Sequence, residues 1–150
     1  MNLIVVGVDH SEGAKAALAF AHEEARLRDA TLRAVHAWQF GYNGYFDYTG
    51  LGGAAPTLGG DISELREAAA AALDATVREA LPGPGDVKIE QRVVEGTAGA
   101  ALVDESRNAD LLVVGSRGHG GFAQLLLGSV SQQCAQHAAC PVVIVRSKAD

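Results

Sequence analysis

The densest run of residues able to do chemistry is Gly115-Ser116-Arg117-Gly118-His119-Gly120-Gly121, followed after a short stretch by Gly128-Ser129-Val130-Ser131. Glycine at 115 and 118 lets the backbone turn sharply and approach a ligand with no Cβ in the way. Successive backbone N–H groups in such a turn make a concavity for an anion. Gly128 stands where a helix should begin, and the first N–H groups and positive dipole end of a helix attract phosphate. Ser129 and Ser131 add hydroxyl donors there. Arg117 either pairs with a phosphate oxygen or is a solvated loop arginine. Asp9, directly after the apolar run Leu3 to Val8, is either a ligand-facing carboxylate or the cap of the following helix. Together these residues suggest binding of a phosphorylated ligand.

Other chemistries are less well served. A P-loop requires GxxxxGK[ST], and no lysine lies between Lys88 and Lys148. The stretch from Gly118 to Ala123 fits GxGxxA, but it follows the fourth apolar run rather than the first, with no acidic residue about 20 positions on to hold a ribose. Neither GxSxG nor HExxH occurs, no catalytic lysine is near the glycines, and His119 reads as an exposed bystander. The five histidines show no metal-ligand spacing beside carboxylates or thiolates. Cys134 and Cys140 form no CxxC pair and read as core or interface filler. The expectation is a binder without a catalytic residue or a protein metal site.

Elements must position these residues. Leu3 to Val8, Leu111 to Val114 and Val142 to Val145 are continuous apolar runs, as in strands buried on both faces. Thr31 to Trp38 reads as another strand. Val87 to Val94 alternates apolar and charged residues, which suits an edge strand with one wetter face. Between them lie helical patterns. Ser11 can cap the first, whose buried stripe would be Ala14, Ala17, Leu18, Ala21 and Ala25. Asp61 and Glu64 form a capping-box-like start to the second, which carries Leu65, Ala69, Ala72, Leu73, Thr76 and Val77 and stops at Pro82-Gly83-Pro84-Gly85. Thr97 to Arg107 is a third helix, with Asn108 placed for a left-handed cap, and Ser129 to Ala138 a fourth. The order β α β α β α β α β implies parallel strands, right-handed crossovers and helices on both faces.

Gln39 to Gly60 breaks this rhythm. It is glycine-rich, without a period, and Trp38, Phe40, Tyr42, Tyr45, Phe46 and Tyr48 crowd its start. These aromatics either pack back on the sheet edge or make a lid or partner-contact loop.

The whole chain of 150 residues fits one domain. Its net charge of -6, with 12 scattered basic residues, argues against a nucleic-acid surface. No basic n-region precedes the first apolar run, and no stretch reaches the roughly 20 apolar residues of a membrane helix. A cytoplasmic location is the expectation.

The spacing Gly115-x2-Gly118-x9-Gly128-Ser129 resembles the ATP-binding signature G-x2-G-x9-G-[ST] of the universal stress protein family. The opening Val6-Gly7-Val8-Asp9-His10-Ser11 and the ending Cys140-Pro141-Val142-Val143-Ile144-Val145 are similar to that family's first and last strands. The resemblance runs from residue 3 to about 146. It implies a five-stranded doubly wound sheet of order 3-2-1-4-5, with strands one and four adjacent at the switch point, where open α/β sheets bind ligands. In that implied order the apolar last strand lies at a sheet edge, where proteins normally place charge or cover. The same strand of a second copy, residues 141–146, is the simplest cover, giving a twofold homodimer. It also implies a regulatory ATP-binding protein of the stress response. Asp9, beside Gly7, would contact the ribose or a phosphate-bound Mg²⁺, and Ala37 would meet the adenine edge through its backbone. Val114, Gly115, Arg117, Gly118, Gly128, Ser129, Val130 and Ser131 would surround ribose and phosphates. His10 departs from the family, which often has a small residue there. The alternatives are AMP or cyclic AMP as ligand, weak ATP hydrolysis, or a dimeric adaptor that uses no nucleotide.

Overall fold

β-Branched residues pack well on a pleated surface covered on both sides, and the apolar runs of this chain become strands for that reason. The structure is a computed structural model that describes residues 2–39, 62–83, 85–116 and 127–146. Along the chain come β1 (Leu3–Gly7), α1 (Glu12–Arg28), β2 (Thr31–Trp38), α2 (Ile62–Ala80), β3 (Ile89–Glu95), α3 (Ala98–Ser106), β4 (Leu111–Gly115), α4 (Ser129–His137) and β5 (Val142–Val145). The strands form one parallel sheet of order β3-β2-β1-β4-β5. This is the doubly wound α/β fold that the alternation and the resemblance both imply.

Strand alternation divides the core in two. Ile4, Val6, Leu32, Ala34, Leu111 and Val113 meet the stripe Ala14, Ala17, Leu18, Ala21 and Ala25 of α1, together with Leu73 and Val77 of α2. Val5, Val35, Leu112 and Val114 face the other way, onto Leu102 of α3 and Cys134 of α4. The α1 stripe is the one its helical spacing predicts, and Ser11 caps the helix by accepting the Ala14 N–H at 3.0 Å.

Some boundaries differ from expectation. β3 starts at Ile89 rather than Val87, because pairing with its single neighbour begins where Leu32 meets Ile89. Asn108 forms no left-handed cap. α3 ends at Arg107 in right-handed backbone (φ -63°, ψ -25°). The chain then runs on through tight turns in which the Asn108 and Ala109 N–H groups donate to the Glu105 and Ser106 carbonyls. The left-handed helix cap is instead Asp29, which closes α1 at φ 53°. α2 begins at Ile62 with Glu64 in its first turn. Asp61, residues 40–60 of the glycine-rich loop, Arg117, Gly118 and His119 lie outside the described residues.

Candidate functional site

The register sets Ile4 beside Leu111, Val5 beside Leu112 and Val6 beside Val113. β1 and β4 therefore finish level, and the Asp9 turn and the Ser116 turn leave the sheet side by side. Asp9 Oδ1 accepts two hydrogen bonds, from the Ser11 N–H at 3.0 Å and the Ser11 hydroxyl at 2.6 Å. Asp9 thus braces the capping residue rather than capping α1 itself. Both bonds fall on Oδ1, so Oδ2 is the oxygen left to meet a ligand.

Two glycines at this level are required by packing. A Cβ on Gly7 would stand 2.6 Å from Leu102 Cδ1, and one on Gly115 would stand 3.0 Å from the Gly13 carbonyl oxygen. The missing Cβ of Gly115 lets the first turn of α1 sit against the end of β4. That is a different use of the glycine from approach to a ligand.

On β2, Val35 accepts from the Val8 N–H on the β1 side, and Trp38 accepts from the Gly96 N–H on the β3 side. Polar groups of a parallel strand alternate in direction, so Ala37 turns its N–H and C=O towards β1, beyond the last register pair Gly7 and Val35. Those groups face the space past the end of β1.

Beside them lies an imidazole pair, His10 and His36, whose contact no sequence pattern showed. His36 is 3% exposed and donates from Nδ1 to the Val8 carbonyl at 2.8 Å. His10 has left-handed backbone at φ 69°, and its ring sits 4.6 Å from that of His36. The Thr76 hydroxyl lies 3.1 Å from the Ala72 carbonyl oxygen and hydrogen-bonds His10 Nδ1 across 2.5 Å. His10 thereby ties the Asp9 turn to α2. Period-two placement of His36 with Ala34 and Trp38 was the available signal for half of this pair; the His10–Thr76 contact spans 66 positions and has no local signature.

Across from Asp9, Gly128 is the N-cap of α4, with extended backbone and no side chain to satisfy the first N–H groups. Ser129 is exposed and Val130 half-buried. The Gly128 N–H donates to the Ser116 carbonyl at 2.7 Å. The Ser131 hydroxyl is 3.0 Å from both the Ser116 and the Gly128 carbonyl oxygens. Its hydrogen is therefore engaged within the protein, and what Ser131 can offer an anion is the backbone N–H of the first helical turn. The same helix buries Cys134, whose thiol is pushed up to about 11 by burial and then by Cys140. Such a thiol is a packing group, not a nucleophile. Among the described residues, no three His, Cys, Asp or Glu side chains gather as a metal site.

Fold and site define a doubly wound α/β domain with its polar turns gathered at the switch point between β1 and β4. A model of the Universal stress protein family matches residues 1–146, and the chain belongs to that family. It is 34% identical over 145 residues to a universal stress protein of Mycolicibacterium smegmatis, covering 97% of this chain and 46% of the relative. It is 36% identical over 143 residues to one of Mycobacterium tuberculosis, covering 95% and 44%. The chain thus spans about half the length of the curated relatives it matches. Among solved structures, universal stress protein UspA from Lactobacillus plantarum superposes with a TM-score of 0.74 at 24% identity, covering 97% of each chain. A universal stress protein in complex with cAMP superposes at 0.64 with 28% identity, covering 97% and 96%. No helix among the described residues is long and apolar enough to cross a membrane.

Proposed function

We propose that this chain is a regulatory adenine-nucleotide binder of the cytoplasmic stress response, with ATP as its ligand at the β1–β4 switch point. The observation that carries the reading is convergence. The outward backbone groups of Ala37, Asp9 Oδ2 and the uncapped start of α4 at Ser129, Val130 and Ser131 all border one end of the sheet. Adenine would pair with Ala37, the ribose would meet Asp9, and the phosphates would lie on the N–H groups after Gly128, with Arg117 and Gly118 completing the cradle. Val114, Gly115 and Gly7 hold the floor beneath. Mg²⁺ would arrive on the phosphates, and the Asp9 carboxylate is the hard oxygen ligand the turn offers it. Binding rather than catalysis is the role, since nothing in this set is a water-activating base. The likeness to a cAMP complex supports cyclic AMP as a second ligand reading at the same site. The partner is a second copy of the chain, joined through residues 141–146.

Protein purified without added nucleotide, then denatured and run on anion exchange, should release an adenine nucleotide at close to one per chain. Titration of the emptied protein with ATP, AMP and cyclic AMP should rank the ligands. Asp9→Ala and Gly118→Ala should abolish retention. No released nucleotide and no heat with any of the three would overturn the reading in favour of a dimeric adaptor.

A further inference from the structure

Ser131 can do more than line a helix start. It is 2% exposed, as is Ser116. Its one hydroxyl hydrogen lies between two carbonyls that belong to opposite ends of the stretch from β4 to α4: Ser116 at the exit from the sheet and Gly128 at the entry to the helix. The Gly128 N–H closes on the same Ser116 oxygen at 2.7 Å, and the Ser116 N–H is itself anchored to the Val145 carbonyl of β5 at 2.9 Å. Two donors thus converge on one buried acceptor and join the two ends. We infer that Ser131 is a positioning residue. Its hydroxyl latches the base of the segment between 116 and 128, so that the backbone N–H groups at the start of α4 face an anion in a fixed arrangement before it arrives.

The physical consequence is preorganisation. Closing a loop costs entropy on each binding event unless the fold has already closed it. A latch made of buried hydrogen bonds keeps that cost out of ligand binding, and its loss should appear mainly as slower productive association. The hydroxyl never has to touch the ligand for this to hold. The role in binding rests on the nucleotide reading above; the latch itself does not.

The test is Ser131→Ala, with Ser131→Thr as the conservative rescue. Gly128→Pro is a second route, because it removes the other donor at a backbone angle of φ -74° that proline also adopts. In nucleotide-free protein, Ser131→Ala should raise amide exchange at Gly128 by about tenfold, the order expected for losing one buried hydrogen bond. ATP affinity should weaken about tenfold in both Ser131→Ala and Gly128→Pro, chiefly through association rate, and Ser131→Thr should restore exchange and affinity together. Unchanged Gly128 exchange in Ser131→Ala would overturn the latch, and raised exchange with unchanged ATP kinetics would overturn its positioning role. Should the wild type bind no nucleotide, the nucleotide reading and the positioning role fall together, while raised Gly128 exchange in Ser131→Ala would still uphold the latch.

Discussion

Side chains at the switch point divide their polar atoms between the chain and the outside. Asp9 gives one oxygen to Ser11 and keeps the other, whereas Ser131 gives its hydroxyl wholly to the protein. Residue type and spacing made both positions legible, because strand ends and helix starts have fixed hydrogen-bond needs. They did not reveal how each atom is spent, since Ser116 lies 15 positions from Ser131 and only the folded sheet brings them together. Cys134 shows the same dependence on burial. Its thiol is fully buried and rises from 9.0 to about 11, while in the unfolded chain it ionises near its ordinary value. The folded pKa is the higher one, so the contribution to stability is complete below about pH 9 and is lost as pH climbs towards 11. By about pH 10.5 the loss amounts to about 2 kcal/mol, at roughly 1.4 kcal/mol per unit. Urea titrations near pH 8 and 10.5 should show Cys134→Ala losing about 2 kcal/mol less than wild type across that interval. Equal losses in the two proteins would mean that the thiol ionises in place.

At the scale of elements, most of the fold was written in short-range pattern. Continuous apolar runs marked β1, β4 and β5, and the 3.6-residue stripe marked α1 down to its buried alanines. The misplaced features are those set by neighbours. The start of β3 depends on where β2 offers a partner, and the end of α3 depends on turns that Asn108 alone does not dictate. Glycines were legible as positions but not as reasons. At Gly115 an added Cβ would meet the Gly13 carbonyl carbon and oxygen at 3.1 and 3.0 Å, backbone atoms that cannot swing aside. At Gly99 the obstacle is the amide end of Gln133, an exposed side chain that can. Gly115→Ala should therefore cost about 1–3 kcal/mol by pushing α1 off β4. Gly99→Ala should cost little, because helix propensity returns up to about 1 kcal/mol against the movement of Gln133. Thermal unfolding of the two variants should separate them by several degrees, roughly 2–4 °C per kcal/mol for a domain of this size. A Gly115→Ala melting curve matching the wild type would show that α1 tolerates displacement and that its seat on β4 does not define the site.

The whole molecule has two unlike sheet edges. β3 carries Glu90, Gln91, Arg92 and Glu95, and Arg33 and Arg92 both pair with the Glu105 carboxylate, so that edge is charged and blunted. β5 is Val142-Val143-Ile144-Val145, and every one of these residues stays partly exposed in the single chain. The Leu112 N–H donates to Pro141 and the Ser116 N–H to Val145, so the odd-numbered residues face β4. By alternation, the N–H and C=O of Val142 and Ile144 face outward. An apolar strand with two outward peptide groups is a pairing template, and a second β5 related by a twofold axis would satisfy both its hydrogen bonds and its side chains. Light scattering at micromolar concentration should then give twice the 15.5 kDa chain mass. Ile144→Pro removes an outward N–H while sparing the ladder to β4, and edge strands accommodate proline. It should give the single-chain mass with an unchanged circular dichroism spectrum. Single-chain mass for the wild type would remove the dimer from the proposed function and leave the exposed β5 edge to a different partner.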